Sequence, residues 1–358
     1  MSSIPYDLLP QIFQICFLNQ RTENFGCRGP STNEVPLLLL RVCRTWRECA
    51  LSTPFLWSRL SVGRGRNRLL SVIAAKDWLD RAGSITLSID IYLCDANAEC
   101  GRSTRHATEL ALNDIFAPAR IWNSVSLEVE RPWANPFFDT ILQPVLTHAP
   151  ELEKISISLT GSKPIAQLNA GPATMTIIEI GSTPNLSSIS VHIERSTYHA
   201  VRITFSNVHS YAHIRELNLH RPESTGHCLE ILRRCHNVEL LRVSLKICHG
   251  DVQPHITVLL LDKLHTLDLT IHADTDPDAL VFGWPHLFQL LERSHPPLKA
   301  FGLTGALMKS IDIIRCLQHA SAHELTVISG DRRLFSPRVI DALTPRSAGF
   351  VYRDNYDL

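Results

Sequence analysis

At 358 residues the chain is long enough to bury a sizeable core and to form two or three domains. Thirty-five basic side chains offset thirty-five acidic ones, and 20% of residues are charged against 44% hydrophobic. That balance excludes the electrostatic footprint of a nucleic-acid or anionic-membrane binder, and no apolar run nears the roughly 18 residues of a membrane helix. The ten cysteines include no CxxC pair and are too sparse for a disulfide scaffold. The first residues carry Asp7 and Pro10 and no basic residue ahead of their apolar stretch, so no secretory leader is expected. A reducing compartment, cytoplasmic or nuclear, is expected.

Residues 4–18 place Leu8, Leu9, Ile12, Phe13, Ile15 and Cys16 at helical spacing, and Pro5 suits a helix start. Residues 19–34 are polar, with two glycines and a proline, and predict a loop. Helical patterning resumes over residues 35–52. Pro54 ends it, and Leu56, Trp57 and Leu60 supply a last apolar anchor. A connecting helix follows from Leu69 to Ala82, with Ile73, Ala74, Trp78 and Leu79 along it. From residue 84 the texture changes, and ITLSIDIYL alternates at strand period.

One phrase then recurs, an apolar residue followed three and five positions later by two more. It occurs at Trp122-Val125-Leu127, Leu152-Ile155-Ile157, Leu186-Ile189-Val191, Ile214-Leu217-Leu219, Val238-Leu241-Val243, Leu264-Leu267-Leu269 and Leu298-Phe301-Leu303. The phrase starts lie 30, 34, 28, 24, 26 and 34 residues apart. This is similar to the LxxLxL core of a leucine-rich repeat, in which each unit gives a strand and a returning helix or loop. Helices are expected between the strands, at Phe138–His148, His227–Arg234, Leu280–Arg293 and Met308–Ala320.

The turn positions after each phrase hold Glu130, Thr160, Glu194, Pro222, Lys246, His272 and Ala306, where regular repeats carry Asn or Cys. The expected array is therefore irregular. Side chains alternate along a strand, so one set of polar residues points away from the core; Ser156, Ser190, Asn218, Arg242 and Asp268 are the candidate substrate contacts.

No catalytic constellation is present. The chain lacks GxSxG, a P-loop, GxGxxG and HExxH, and Gly63 and Gly65 have no Lys-Ser/Thr behind them. His209/His213 and His319/His323 are each four apart, but zinc would need further ligands. Cys228, Cys235 and Cys248 match no finger spacing, and Cys235, three residues before Val238, reads as a small buried hydrophobe. No catalytic residue, cofactor or metal is expected.

The N-terminal block resembles the F-box of fungal F-box proteins. It carries Ile4-Pro5, Asp7, Leu8, Ile12-Phe13, Val42-Cys43, Trp46, Ala50, Pro54, Leu56-Trp57 and Leu60 in the order of that motif. Ile4 stands where leucine is usual, and the loop at 19–34 is longer than in the compact form of the motif. The resemblance implies docking on a Skp-family adaptor and, through it, a cullin, with a C-terminal region selecting a protein substrate. Ile4, Pro5, Leu8, Ile12, Phe13, Leu40, Val42 and Trp46 are the implied contact or contact-supporting residues. The alternative is an interaction scaffold that acts outside ubiquitin transfer.

The expected organisation is a helical module at 4–62, a connecting helix at 63–83, a repeat region at 84–345 and a tail at 346–358. The expected fold class is α+β, an all-α F-box module followed by an irregular leucine-rich-repeat-like α/β solenoid.

Overall fold

A computed structural model describes residues 5–20, 35–62, 68–93, 102–116, 120–130, 142–160, 175–181, 183–193, 200–206, 211–222, 224–247, 259–273, 287–305, 310–330, 335–337, 339–340 and 351–354. The chain divides into two compact units. The first is Met1–Pro172 with Ile178–Asn185 and Glu194–Tyr198; the second is Ala173–Ile177, Leu186–Ile193 and His199–Leu358.

In the first unit a short 3-10 turn, Tyr6–Leu8, leads into α1 (Leu9–Gln20). Helices α2 (Val35–Leu39) and α3 (Arg44–Leu51) pack against α1. Pro54 opens a second 3-10 turn, Pro54–Trp57, where its missing N–H costs nothing, and the chain passes directly into β1 (Arg59–Val62). Next come α4 (Arg68–Ala82), β2 (Leu87–Leu93), α5 (Arg102–Ile115), β3 (Trp122–Glu130), α6 (Gln143–His148) and β4 (Lys154–Thr160).

The strands β1, β2, β3 and β4 pair in that order, all parallel. Parallel neighbours need a crossover, and α4, α5 and α6 provide it. In β2, Leu87, Ile89, Ile91 and Leu93 are buried while the residues between them are half-exposed. Ala75, Trp78, Leu79 and Ala82 form the buried stripe of α4 at three- and four-residue steps. Gly83, at φ 63°, ends that helix in the left-handed conformation.

The second unit contains β6 (Ser188–Ile193), β8 (Glu216–His220), β9 (Leu240–Ile247), β10 (Thr266–Ala273), β11 (Ala300–Thr304), β12 (Val327–Gly330) and β13 (Val351–Asp354), paired in that order and parallel throughout. Helices α7 (Thr225–Arg234), α8 (Leu287–Ser294) and α9 (Ser310–Gln318) follow β8, β10 and β11. Two further short strands are β5 (Met175–Ile180), whose residues are divided between the units, and β7 (Ala200–Phe205), in the second.

The recurring apolar phrase becomes a buried ladder, with Ile189, Leu217, Leu241, Leu267, Phe301 and Ile328 aligned across successive strands. Before β8, β9, β10 and β12 the chain makes the same turn. The N–H of Ile214 donates to the Tyr211 carbonyl, Val238 to Cys235, Leu264 to Leu261 and Leu325 to Ala322. Cys235, at such a turn, is wholly buried.

A second device recurs alongside the turn. The carbonyls of Ser187, Arg215, Glu239, His265 and Lys299 each accept two consecutive backbone N–H groups at the start of the next strand, at 2.8–3.1 Å.

This architecture corrects the expected fold class. The chain is an α/β protein built on parallel strands with crossover helices, not an all-α module followed by a solenoid. Two findings overturn the expectation. First, the N-terminal block supplies a strand of its own: Leu60, expected as part of a terminal anchor, lies with Val62 in β1 and pairs with β2. Second, the phrase repeats but the unit does not. Among the described residues, helices join some neighbouring strands, while β7 lies between β6 and β8 in sequence.

The expected connecting helix coincides with α4, and the four expected later helices overlap α6, α7, α8 and α9, with α7 starting two residues earlier and α8 ending one residue later than expected. Among the described residues, no helix is long and apolar enough to cross a membrane.

Candidate functional site

Two surfaces carry the residues singled out from sequence. The first lies on α1, whose sequence LPQIFQICFLNQ is apolar almost all round. One side is used internally. Leu9 and Phe13 are buried, Phe13 packs on Trp46 with ring centroids 5.3 Å apart, and Phe17 meets Phe55 at 6.1 Å.

The other side is open. Leu8, Ile12, Ile15 and Leu18 follow one another at four-, three- and three-residue steps; Ile12 is half-buried, and Leu8, Ile15 and Leu18 are 45%, 59% and 46% exposed. Tyr6, Leu38, Val42 and Leu51 also expose apolar side chains in this block. Apolar residues exposed singly need no explanation, but an exposed stripe along one helix marks a contact surface.

The implied adaptor contacts now separate by position. Pro5, Leu8 and Val42 are exposed; Ile12, Leu40 and Trp46 are half-buried; Phe13 is fully buried and holds α1 to α3. Ile4 lies outside the described residues. Ile15 and Leu18 extend the open stripe, and their spacing from Leu8 is the sequence signal for it.

The scaffold beneath is well tied. Arg47 Nε donates to the Leu40 carbonyl at 2.9 Å, closing the end of α2, and Thr53 Oγ1 donates to the Cys49 carbonyl at 2.6 Å. Buried Trp57 donates from Nε1 to the Ala50 carbonyl at 2.9 Å.

The second surface is the polar face of the strands. The register places Ser190, Asn218, Arg242 and Asp268 in one row, continued by Gly302 and Ser329. Ser156 lies in the first unit, in the row Ser61, Asp90, Ser126 and Ser156. Arg242 is exposed, and Ser156, Ser190, Asn218 and Asp268 are half-buried. Burial raises the Asp268 carboxyl pKa, and Arg242 opposes the shift.

Towards the carboxyl ends of the same strands stands a group of histidines. The His192 and His220 rings stack at 4.2 Å, and His272 lies edge-on to His220 at 6.2 Å. His220 Nδ1 meets the Ile193 carbonyl at 2.7 Å, and His272 Nε2 pairs with Ser244 Oγ at 2.9 Å. Burial, followed by the neighbouring His192, lowers the His220 pKa to about 4.

Beneath His220 a small cavity is lined by Val191, Ile203, Leu219, Arg221 and His227 among others. His227 Nε2 donates to the Ile203 carbonyl at 2.8 Å. Its Nδ1 is buried with no hydrogen-bond partner.

Among the described residues nothing else gathers into a reactive site. Among the described residues no three His, Cys, Asp or Glu side chains are placed to hold a metal. His319 stacks on His295 at 5.4 Å, while His209 and Cys248 lie outside the described residues. Burial raises the thiols of Cys228, Cys235 and Cys316 to about 12, which makes them packing groups and not nucleophiles. No family model, curated protein or solved structure matches the chain.

Proposed function

We propose that this chain is a non-catalytic substrate-recognition subunit of a Skp–cullin–F-box ubiquitin ligase. Its N-terminal block docks on a Skp-family adaptor, and the polar face of its strands takes a protein substrate. The observation that carries the reading is the open stripe Leu8, Ile12, Ile15 and Leu18, on a helix whose opposite side is already occupied by Leu9 and Phe13. That stripe falls inside the block that resembles the F-box, and an apolar helix face suits a helix-in-groove contact. The sheet face is of mixed sign, with Arg242 exposed and its neighbours half-buried, which favours a protein segment over a polyanion.

The test is co-expression of the full chain with a Skp-family adaptor. A stable complex on size exclusion at micromolar concentration is expected, and Ile15→Asp should abolish it. Absence of a complex with the unaltered chain overturns the reading. Capture of adaptor without cullin makes the chain a scaffold outside ubiquitin transfer.

A further inference from the structure

The row across the second unit holds an unusual carboxylate. Asp268 on β10 has Arg242 directly opposite on one side, on β9, and Gly302 on the other, on β11. Its carboxylate lies over Gly302. A Cβ built at Gly302 would stand 2.6 Å from Asp268 Oδ1 and 2.8 Å from Ser329 Oγ, so the acid and the hydroxyl converge over that glycine from neighbouring strands. Any larger residue at 302 would fill the space they share.

Among the described residues no hydrogen bond or ion pair within 4.0 Å reaches the Asp268 carboxylate, although it is half-buried. A carboxylate partly withdrawn from water and without a hydrogen-bond donor is disfavoured, although Arg242 offsets part of that, and a cationic donor supplied from outside relieves it further. The recess offers a charged acceptor and a hydroxyl acceptor above a floor with no side chain. A primary ammonium or a guanidinium matches that set, whereas an anion would meet the carboxylate head-on.

We propose that Asp268, Gly302 and Ser329 form a subsite for a lysine or arginine side chain of the bound protein substrate. This deepens the reading of the polar sheet face as the substrate surface and rests on it. The occupant is a polypeptide segment, with its basic side chain over Gly302 and its neighbours along the row of Arg242, Asn218 and Ser190.

The experiment exposes the full chain, without adaptor, to a positional-scanning library of short immobilised peptides. The unaltered chain should enrich Lys or Arg at one position by about tenfold, the scale of one charge-assisted hydrogen bond. Asp268→Asn, nearly isosteric, should erase that preference, and Asp268→Lys should turn it towards Asp or Glu. Gly302→Ala should weaken it, because the added methyl must push the Asp268 carboxylate or the Ser329 hydroxyl out of the shared space.

A basic preference that survives Asp268→Asn overturns the proposal, as does selection of acidic residues, or of none, by the unaltered chain. Each variant is compared at an unchanged urea midpoint, so loss of binding is not loss of fold. Adaptor capture is read separately, and failure here would leave the docking face standing.

Discussion

Trp57 and Trp78 meet edge to face, with ring centroids 4.9 Å apart and planes at 77°. Each indole also donates to a main-chain carbonyl, Trp57 to Ala50 at 2.9 Å and Trp78 to Arg59 at 3.1 Å, while the Arg81 guanidinium sits 4.9 Å over the Trp57 ring. The pair joins the N-terminal helices to the first crossover helix. Trp57→Ala removes a large, fully buried ring and one of the donors to the Ala50 carbonyl, which keeps the Thr53 N–H. It should cost about 3–5 kcal/mol, read as a lowered midpoint in urea unfolding. Trp78→Phe keeps most of the packing and loses one hydrogen bond, and should cost about 1 kcal/mol.

The two sides of α1 should respond differently. Ile15→Asp or Leu18→Asp changes an exposed position, so stability should move by about 0.5 kcal/mol or less. Adaptor capture should nevertheless be lost. Phe13→Ala should cost about 3–5 kcal/mol in stability, because that ring fills the contact with Trp46. Pull-down and unfolding on the same variants separate docking from packing.

Stability should fall on mild acidification. His220 has a pKa of about 4, against 6.5 for an ordinary imidazole, so the folded chain binds this proton less readily than the unfolded one. Its contribution is complete above pH 6.5 and is lost as pH falls through the window down to about 4. His192, Arg221 and His272 all face the ring and oppose its charging, while the Ile193 carbonyl favours it. His319 is lowered too, by burial and then His295, so His220→Gln should remove part of the decline but not all of it. Urea midpoints at about pH 7.5 and about pH 5 measure the difference.

Two glycines provide a matched comparison. Gly83 and Gly305 have φ of 63° and 64°, yet a Cβ at Gly83 meets nothing within 4 Å, while one at Gly305 would strike the Ile271 carbonyl. Gly83→Ala should cost about 1–2 kcal/mol, the penalty of the left-handed backbone. Gly305→Ala should cost more, because β10 must also move. Thermal midpoints of the two variants, taken side by side, decide this.

Much of the local structure was legible because it follows from side-chain periodicity. The stretch 85–93 reads as a strand, and β2 is there; the phrase at Leu264-Leu267-Leu269 reads as a buried strand, and β10 is there. Alternation also placed Ser190, Asn218, Arg242 and Asp268 on one face. What periodicity does not encode is the rest of each unit. Arg59–Val62 is four residues behind a tryptophan and reads as an anchor, because its partner strand lies 29 residues ahead, at Ser88 to Ile91. The helix α5 lies ahead of the first phrase and the strands β5 and β7 fall between phrases, and none of the three is expected from sequence. The lean of Asp268 over Gly302 depends on two strands adjacent in space and distant in sequence, so no reading along the chain could find it.

The shared carbonyls at Ser187, Arg215, Glu239, His265 and Lys299 separate alignment from chemistry. At these five positions the main chain alone sets how each strand meets the next, and the side chains there are a hydroxyl, a guanidinium, a carboxylate, an imidazole and an amine. They can therefore change with little effect on strand alignment. Arg215 and Glu239 already use that freedom to pair with each other, and His265 Nε2 approaches Glu239 at 3.7 Å. Substitutions along this seam should therefore alter the surface charge while leaving the frame unchanged.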